Sequence, residues 1–156
     1  MRSSSASASA SRPSPRSSCT SRRVTAASRG GLRLADDAVI AAGVNLRAAG
    51  GRISVGAGTG IGQHSVLVAS THDTVLGQRY IHTPWDESRS GVDVGANVWI
   101  GAQCVLVAGV VVGDDAVIAA GAVVTKNVPA GEIWAGVPAR KLRDVPRYGP
   151  RAHPQA

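Results

Sequence analysis

The chain of 156 residues contains no phenylalanine, two tyrosines and three tryptophans, although 44% of it is apolar. Without bulky rings a broad mixed core is excluded; the abundant valine, alanine and glycine suit a narrow interior of small aliphatic side chains. The same shortage removes the stacking platforms on which single-stranded nucleic acid is held. The two cysteines, Cys19 and Cys104, have no metal-ligand or redox spacing and build no disulfide framework, which fits a reducing cytoplasm. No stretch approaches the roughly 18 consecutive apolar residues of a membrane span, and the N-terminus lacks the apolar core of a secretory signal, so a soluble chain is expected.

Acid is also missing where most of the charge lies. Residues 1–33 hold seven arginines and no Asp or Glu, whereas the remainder carries ten basic and ten acidic residues. The formal charge of +7 therefore belongs to the N-terminal segment, and the body has no basic stripe with which to track phosphates. Within residues 1–30, eleven serines and six arginines accompany one branched aliphatic, Val24, too little to bury. Residues 1–33 are thus expected to be a disordered tail; an organellar transit peptide or an over-extended start has the same composition. Residues 144–156, with Pro146, Pro150 and Pro154, read as a C-terminal tail.

What the body does have is a period of six. From residue 94 the chain divides into VGANVW, IGAQCV, LVAGVV, VGDDAV, IAAGAV and VTKNVP, each opening on Val, Ile or Leu and each with a small residue fifth. Those three types make up 35 of 156 residues, so six consecutive hits have chance odds of roughly one in ten thousand per frame. The template also fits LADDAV, IAAGVN and LRAAGG from residue 34 and, after three inserted residues, VGAGTG, IGQHSV and LVASTH from residue 55. A period of six matches neither the 3.6 of a helix nor the 2 of a simple strand. It is that of a solenoid in which three hexads close an 18-residue triangular coil, first positions point inward, and coils stack at about 4.8 Å. Small fifth residues are expected at the corners. Residues 73–93, DTVLGQRYIHTPWDESRSGVD, break the hexads and read as a loop extruded from the solenoid.

The hexads and the segment VWIGAQCVLVAGVVVGDDAVIAAGAVVTKNVPAGEIWAGVPARKLR resemble the hexapeptide-repeat acyltransferases over residues 34–143, most of all the galactoside, maltose and nodulation O-acetyltransferase group, which shares the VWIG, VVTK and AGVPA blocks. The resemblance implies an all-β, left-handed parallel β-helix that works as a homotrimer and transfers acetyl from acetyl-CoA to a hydroxyl, without a metal. It places the general base at His72 in STHD, where coil meets loop, and neutral imidazole suits proton removal near pH 7. For CoA it points to Ala102, Ala120, Thr125, Lys126, Arg140 and Arg143: small side chains along which a pantetheine arm can lie, and cations for its phosphates. Trp99, too large for a hexad interior, is expected on the outer face, either flanking that arm or packing at the trimer interface.

On the acceptor side, Asn45 falls near the group's acceptor-binding asparagine. Ala48 to Gly51 contain no counterpart of its sugar-binding aspartate. Trp85, Asp86 and Glu87 are alternatives, through ring stacking and carboxylate hydrogen bonds, and equally fit a polar loop tip. His64, at an outward fourth position, reads as surface, His82 as mid-loop, and Cys104 as a core thiol. Three readings stay beside O-acetyl transfer: transfer to an amine or to serine, a zinc hydratase of the γ-carbonic-anhydrase type, and a non-catalytic solenoid.

Overall fold

The computed structural model describes residues 31–147. Of the expected tail over residues 1–33, residues 1–30, with Cys19, lie outside that range, while Leu32 and Arg33 belong to the first strand; residues 148–156 also lie outside it. Fourteen short strands follow in order: β1 (Leu32–Leu34), β2 (Val39–Ile40), β3 (Asn45–Arg47), β4 (Ile53–Val55), β5 (Gly60–Ile61), β6 (Val66–Val68), β7 (Val92–Val94), β8 (Trp99–Ile100), β9 (Val105–Leu106), β10 (Val110–Val112), β11 (Val117–Ile118), β12 (Val123–Val124), β13 (Glu132–Ala135) and β14 (Arg140–Asp144). They form three sheets: β1-β4-β7-β10, β2-β5-β8-β11-β13-β14 and β3-β6-β9-β12. Every pairing is parallel except β13 with β14. Each coil contributes one strand to each sheet in turn, the architecture of a left-handed parallel β-helix.

The first positions of the hexads set the register. Leu34 pairs with Val55, Val55 with Val94 and Val94 with Val112, spacings of 21, 39 and 18 residues. Ile40, Ile61, Ile100 and Ile118 stack likewise, as do Leu46, Leu67, Leu106 and Val124. All but the half-buried Leu34 are buried, so the core is three columns of aliphatic side chains one above another. The three-residue insertion and the 21-residue loop both leave at the junction of the third sheet with the first, here called the third corner. The ladders on either side continue unbroken.

The corners are turned differently from expectation. The chain reverses at the fourth position, where Gly43, Gly58, His64, Asn97, Gln103, Gly109, Asp115 and Gly121 all have positive φ. The small fifth residue instead points inward, as Val98, Cys104, Ala116 and Ala122 do in full burial. Thr59 and Ser65, also fifth and fully buried, hydrogen-bond between coils: Thr59 Oγ1 donates to Gly95 O at 2.7 Å and accepts from Val98 N–H at 3.0 Å. Glycine at second positions is a matter of clearance: a Cβ on Gly101 would lie 2.5 Å from Ala120 N, and one on Gly62 2.6 Å from Ala102 N.

The solenoid ends in a strand that the hexad pattern does not announce. β14 folds back antiparallel on β13, pinned by Lys141 Nζ at 2.7 Å from both Glu132 Oε1 and Asp144 Oδ1. Val145 N–H still bonds to Gly131 O at 2.7 Å, so the described part of the expected tail is tied to the last coil. Among the described residues no helix is long and apolar enough to cross a membrane.

Candidate active site

At the third corner β6 runs out of the solenoid and the loop begins. Its root is a two-stranded arm: Asp73 N–H bonds to Pro84 O at 3.0 Å, Asp86 N–H to Thr71 O at 2.9 Å, and His72 pairs across with Trp85. Half-buried His72 is held on two sides. Its ring stacks on the Trp85 indole, centroids 4.1 Å apart at 25°, and meets the Tyr80 ring edge-on at 6.1 Å. Its Nδ1 lies 3.0 Å from the carbonyl oxygen of Thr83. A carbonyl only accepts, so Nδ1 carries the hydrogen and the lone pair of neutral imidazole falls on Nε2.

The loop ends at Gly91, where β7 begins, two residues earlier than the hexads suggest; within residues 73–91 Thr83 is the buried residue, and its hydroxyl donates to Tyr80 O at 2.6 Å, closing the 3-10 turn Tyr80–His82. The anchor for His72 is thus itself fixed. A cleft of about 310 Å³ opens in front of His72, walled by Val68, Tyr80 and Trp85, with Arg47 and Ala49 across from them. Ser70 Oγ donates to Ala49 O, joining the short insertion to the root of the loop.

The corner between the second and third sheets carries another depression, of about 390 Å³. Val39, Gly60, Gly62, Trp99, Ala102 and Ala120 border it. Trp99 projects from the outer face of the second sheet, 64% exposed, beside Gly60 and Val117. At the far end of the prism, exposed Thr125 and Lys126 follow β12, and Arg140 and Arg143 lie on β14. Among the described residues neither Lys126 nor these two arginines pairs with a carboxylate.

Residues 91–126 match the family model described as bacterial transferase hexapeptide, six repeats. Galactoside O-acetyltransferase of Escherichia coli (strain K12) is 46% identical over 54 residues, 35% of this chain and 27% of that enzyme. The 2,3,4,5-tetrahydropyridine-2,6-dicarboxylate N-acetyltransferase of Staphylococcus aureus (strain JH9) is 47% identical over 58 residues, 37% of this chain and 24% of that one. A hexapeptide-repeat acetyltransferase of Vibrio cholerae O1 biovar eltor, solved in complex with acetyl coenzyme A, superposes with a TM-score of 0.66 at 27% identity, over 74% of this chain and 61% of that one. The chain thus carries hexapeptide repeats of this family over residues 91–126 and is similar to acetyltransferases built on such repeats. The matches to the two curated relatives span about a quarter of their lengths.

Within this hexapeptide-repeat protein the candidate residues fall into three groups. His72 and Trp85 meet in the cleft; Trp99, Ala102 and Ala120 meet in the groove at another corner; Thr125, Lys126, Arg140 and Arg143 lie toward the last coil. Asn45 is exposed on β3 opposite Val66 and does not line the cleft. Asp86 faces neither His72 nor the cleft: its carboxylate takes the Ser88 hydroxyl at 2.5 Å and the Ser88 amide at 3.0 Å, which holds it below the usual carboxylate range. Trp85 presents a face to His72 itself. His64 packs over Gly43 at the second-to-third corner, His82 is exposed in the loop, and among the described residues no three His, Cys, Asp or Glu form a metal-sized group. Cys104 is fully buried, and burial pushes its thiol up.

Sequence reasoning missed Thr83, Tyr80 and Arg47. Thr83 acts through a carbonyl that every residue type possesses, and its only signal is lying a few residues before the strand that pairs with His72. Arg47 reads as an ordinary outward charge on a strand.

Proposed function

We propose that this chain is a cytoplasmic acetyl-CoA-dependent acetyltransferase acting on a hydroxyl of a sugar or polysaccharide unit, with His72 as general base. The observation that carries this reading is the tether between His72 Nδ1 and Thr83 O, which leaves Nε2 as the basic nitrogen of a residue lining an open cleft. Nε2 takes the acceptor's hydroxyl proton as its oxygen attacks the thioester carbonyl; the tetrahedral oxyanion, met by backbone N–H groups, then collapses and expels the CoA thiolate, which recovers the proton from His72. Stacking on Trp85 keeps the ring oriented through both transfers.

The groove bordered by Trp99, Ala102 and Ala120 suits a pantetheine arm, and Lys126, Arg140 and Arg143 suit the CoA phosphates. In one chain that groove and His72 occupy different corners, so the reading requires a second chain. Outer faces supply it. The second sheet presents Val39, Trp99 and Val117, and the first presents the exposed Val111 beside Arg33, Ser54 and Asp93. Packing one chain's second sheet on the next chain's first sheet is a head-to-tail contact that can repeat into a closed ring of three, and it sets the groove corner of one chain beside the third corner, with His72, of its neighbour.

The Staphylococcus relative, an N-acetyltransferase, favours a second reading in which the acceptor is an amine, since the same base and groove serve both. Purified protein with acetyl-CoA and a panel of glycosides and amino sugars should release free thiol and yield an acetylated product whose mass and linkage decide between O and N. No thiol release with any acceptor overturns the transferase reading. His72→Ala should keep the trimer and CoA binding while kcat falls by about 10²- to 10⁴-fold; near-normal turnover removes His72 from this role.

A further inference from the structure

We propose that the acceptor site is built for an acidic monosaccharide unit, one carrying a carboxylate or a phosphate, and that Arg47 is the residue that selects it. The proposal rests on the transferase reading only for which cleft is the acceptor site; recognition of an anion there follows from the charges around the cleft.

Arg47 closes β3, opposite Val68, and both line the cleft with His72 and Trp85. No Asp or Glu lines it. The nearest candidates in the loop are occupied: Asp73 Oδ1 accepts from Thr74 N–H at 2.8 Å, and the Asp86 carboxylate is held by Ser88. Arg52, in the same insertion, is paired with Asp93 at 3.3 Å, whereas Arg47 enters no ion pair among the described residues. The cleft is thus bordered by an exposed positive charge without a counter-ion among the described residues, beside walls of Val68, Tyr80 and Trp85 that strengthen its field.

A guanidinium in that setting matches planar carboxylate or phosphate oxygens in a two-pronged contact. At about 310 Å³ the cleft has room for one sugar ring bearing such a group, with a hydroxyl left to face His72. The phosphates of CoA do not compete for Arg47, because the whole pantetheine arm separates them from the thioester that must reach His72.

Isothermal titration of the intact trimer with glucuronate, glucose 6-phosphate and glucose tests this directly. At least one acid should bind about tenfold or more tightly than glucose, with the advantage shrinking as salt rises. Comparing the two acids separates carboxylate from phosphate. Arg47→Gln should abolish the advantage of the acids over glucose while the melting temperature stays unchanged, and Arg47→Lys should keep part of it. Glucose binding as tightly as both acids, failure of both acids to bind, or an advantage surviving in Arg47→Gln would overturn the proposal. Acid binding without acetyl transfer would instead count against the transferase reading and leave this one standing.

Discussion

Thr59→Val tests whether buried hydroxyls between coils hold the solenoid together. Valine has nearly the shape of threonine, so no cavity opens, but the substitution strips the partner from two backbone groups, the part-buried Gly95 O and the buried Val98 N–H. Each such orphan costs about 1–3 kcal/mol, offset by roughly 0.8 kcal/mol for the extra buried methyl. A net loss of about 1–5 kcal/mol is expected, lowering Tm by on the order of 10 °C for a body of this size. Urea unfolding followed by tryptophan fluorescence measures it, with wild type and variant at one fixed protomer concentration because assembly contributes to stability. A difference below about 0.5 kcal/mol would refute the argument, since a direct turn bond from Val98 N–H to Gly95 O would then suffice. The coil that opens at Val112 shows that alternative: Ala122 N–H bonds to Ala119 O at 3.2 Å with no hydroxyl present.

Val39→Glu places a carboxylate on the outer face of the second sheet, where Val39 is 56% exposed, and under the proposed packing should leave monomers with unchanged circular dichroism; sedimentation showing the variant as trimeric as the wild type would count against that packing. The β13–β14 pairing should depend on pH at both extremes. The Lys141 ammonium and then the Trp134 N–H hold Glu132 below the usual glutamate range, so its contribution is complete above that range and is lost as acid drives pH through the lowered value. Asp144 and then Glu132 raise Lys141, whose contribution is complete below the usual lysine range and is lost as pH climbs through the raised value. Relative to the other strands, β14 amides should exchange slowest between about pH 5 and 10; equal relative protection at pH 3 would contradict this.

The fold was legible because its register rests on one kind of residue at one position. Leu34, Ile40 and Leu46 and their successors all face inward and stack in the order that the hexads dictate. The corners were harder. Their signature, positive φ at the fourth position, is carried by His64, Asn97, Gln103 and Asp115 as well as by glycines, so no single residue type marks it. β14 escaped because it pairs antiparallel after the hexads have stopped, and nothing in RKLRD distinguishes an edge strand from surface charge.

In the candidate site, His72 was legible from its place between coil and loop. The tether that fixes its ring was not, because Thr83 acts through its backbone. Arg47 becomes part of a cleft only because the insertion after β3 and the loop after β6 emerge side by side, a relation visible only once coils are stacked.

That shared exit makes the third corner a separable recognition cassette. Because every change of length leaves through one edge of the prism, the segment there can grow, shrink or be exchanged between relatives without moving a single inward side chain. A one-residue change within a strand at either other edge would instead turn aliphatic residues outward along the rest of the coil. Specificity in such a molecule can change by transplantation at one edge while the frame is inherited intact, and grafting residues 48–52 together with 69–91 onto another solenoid of this kind is the unit in which acceptor choice should travel.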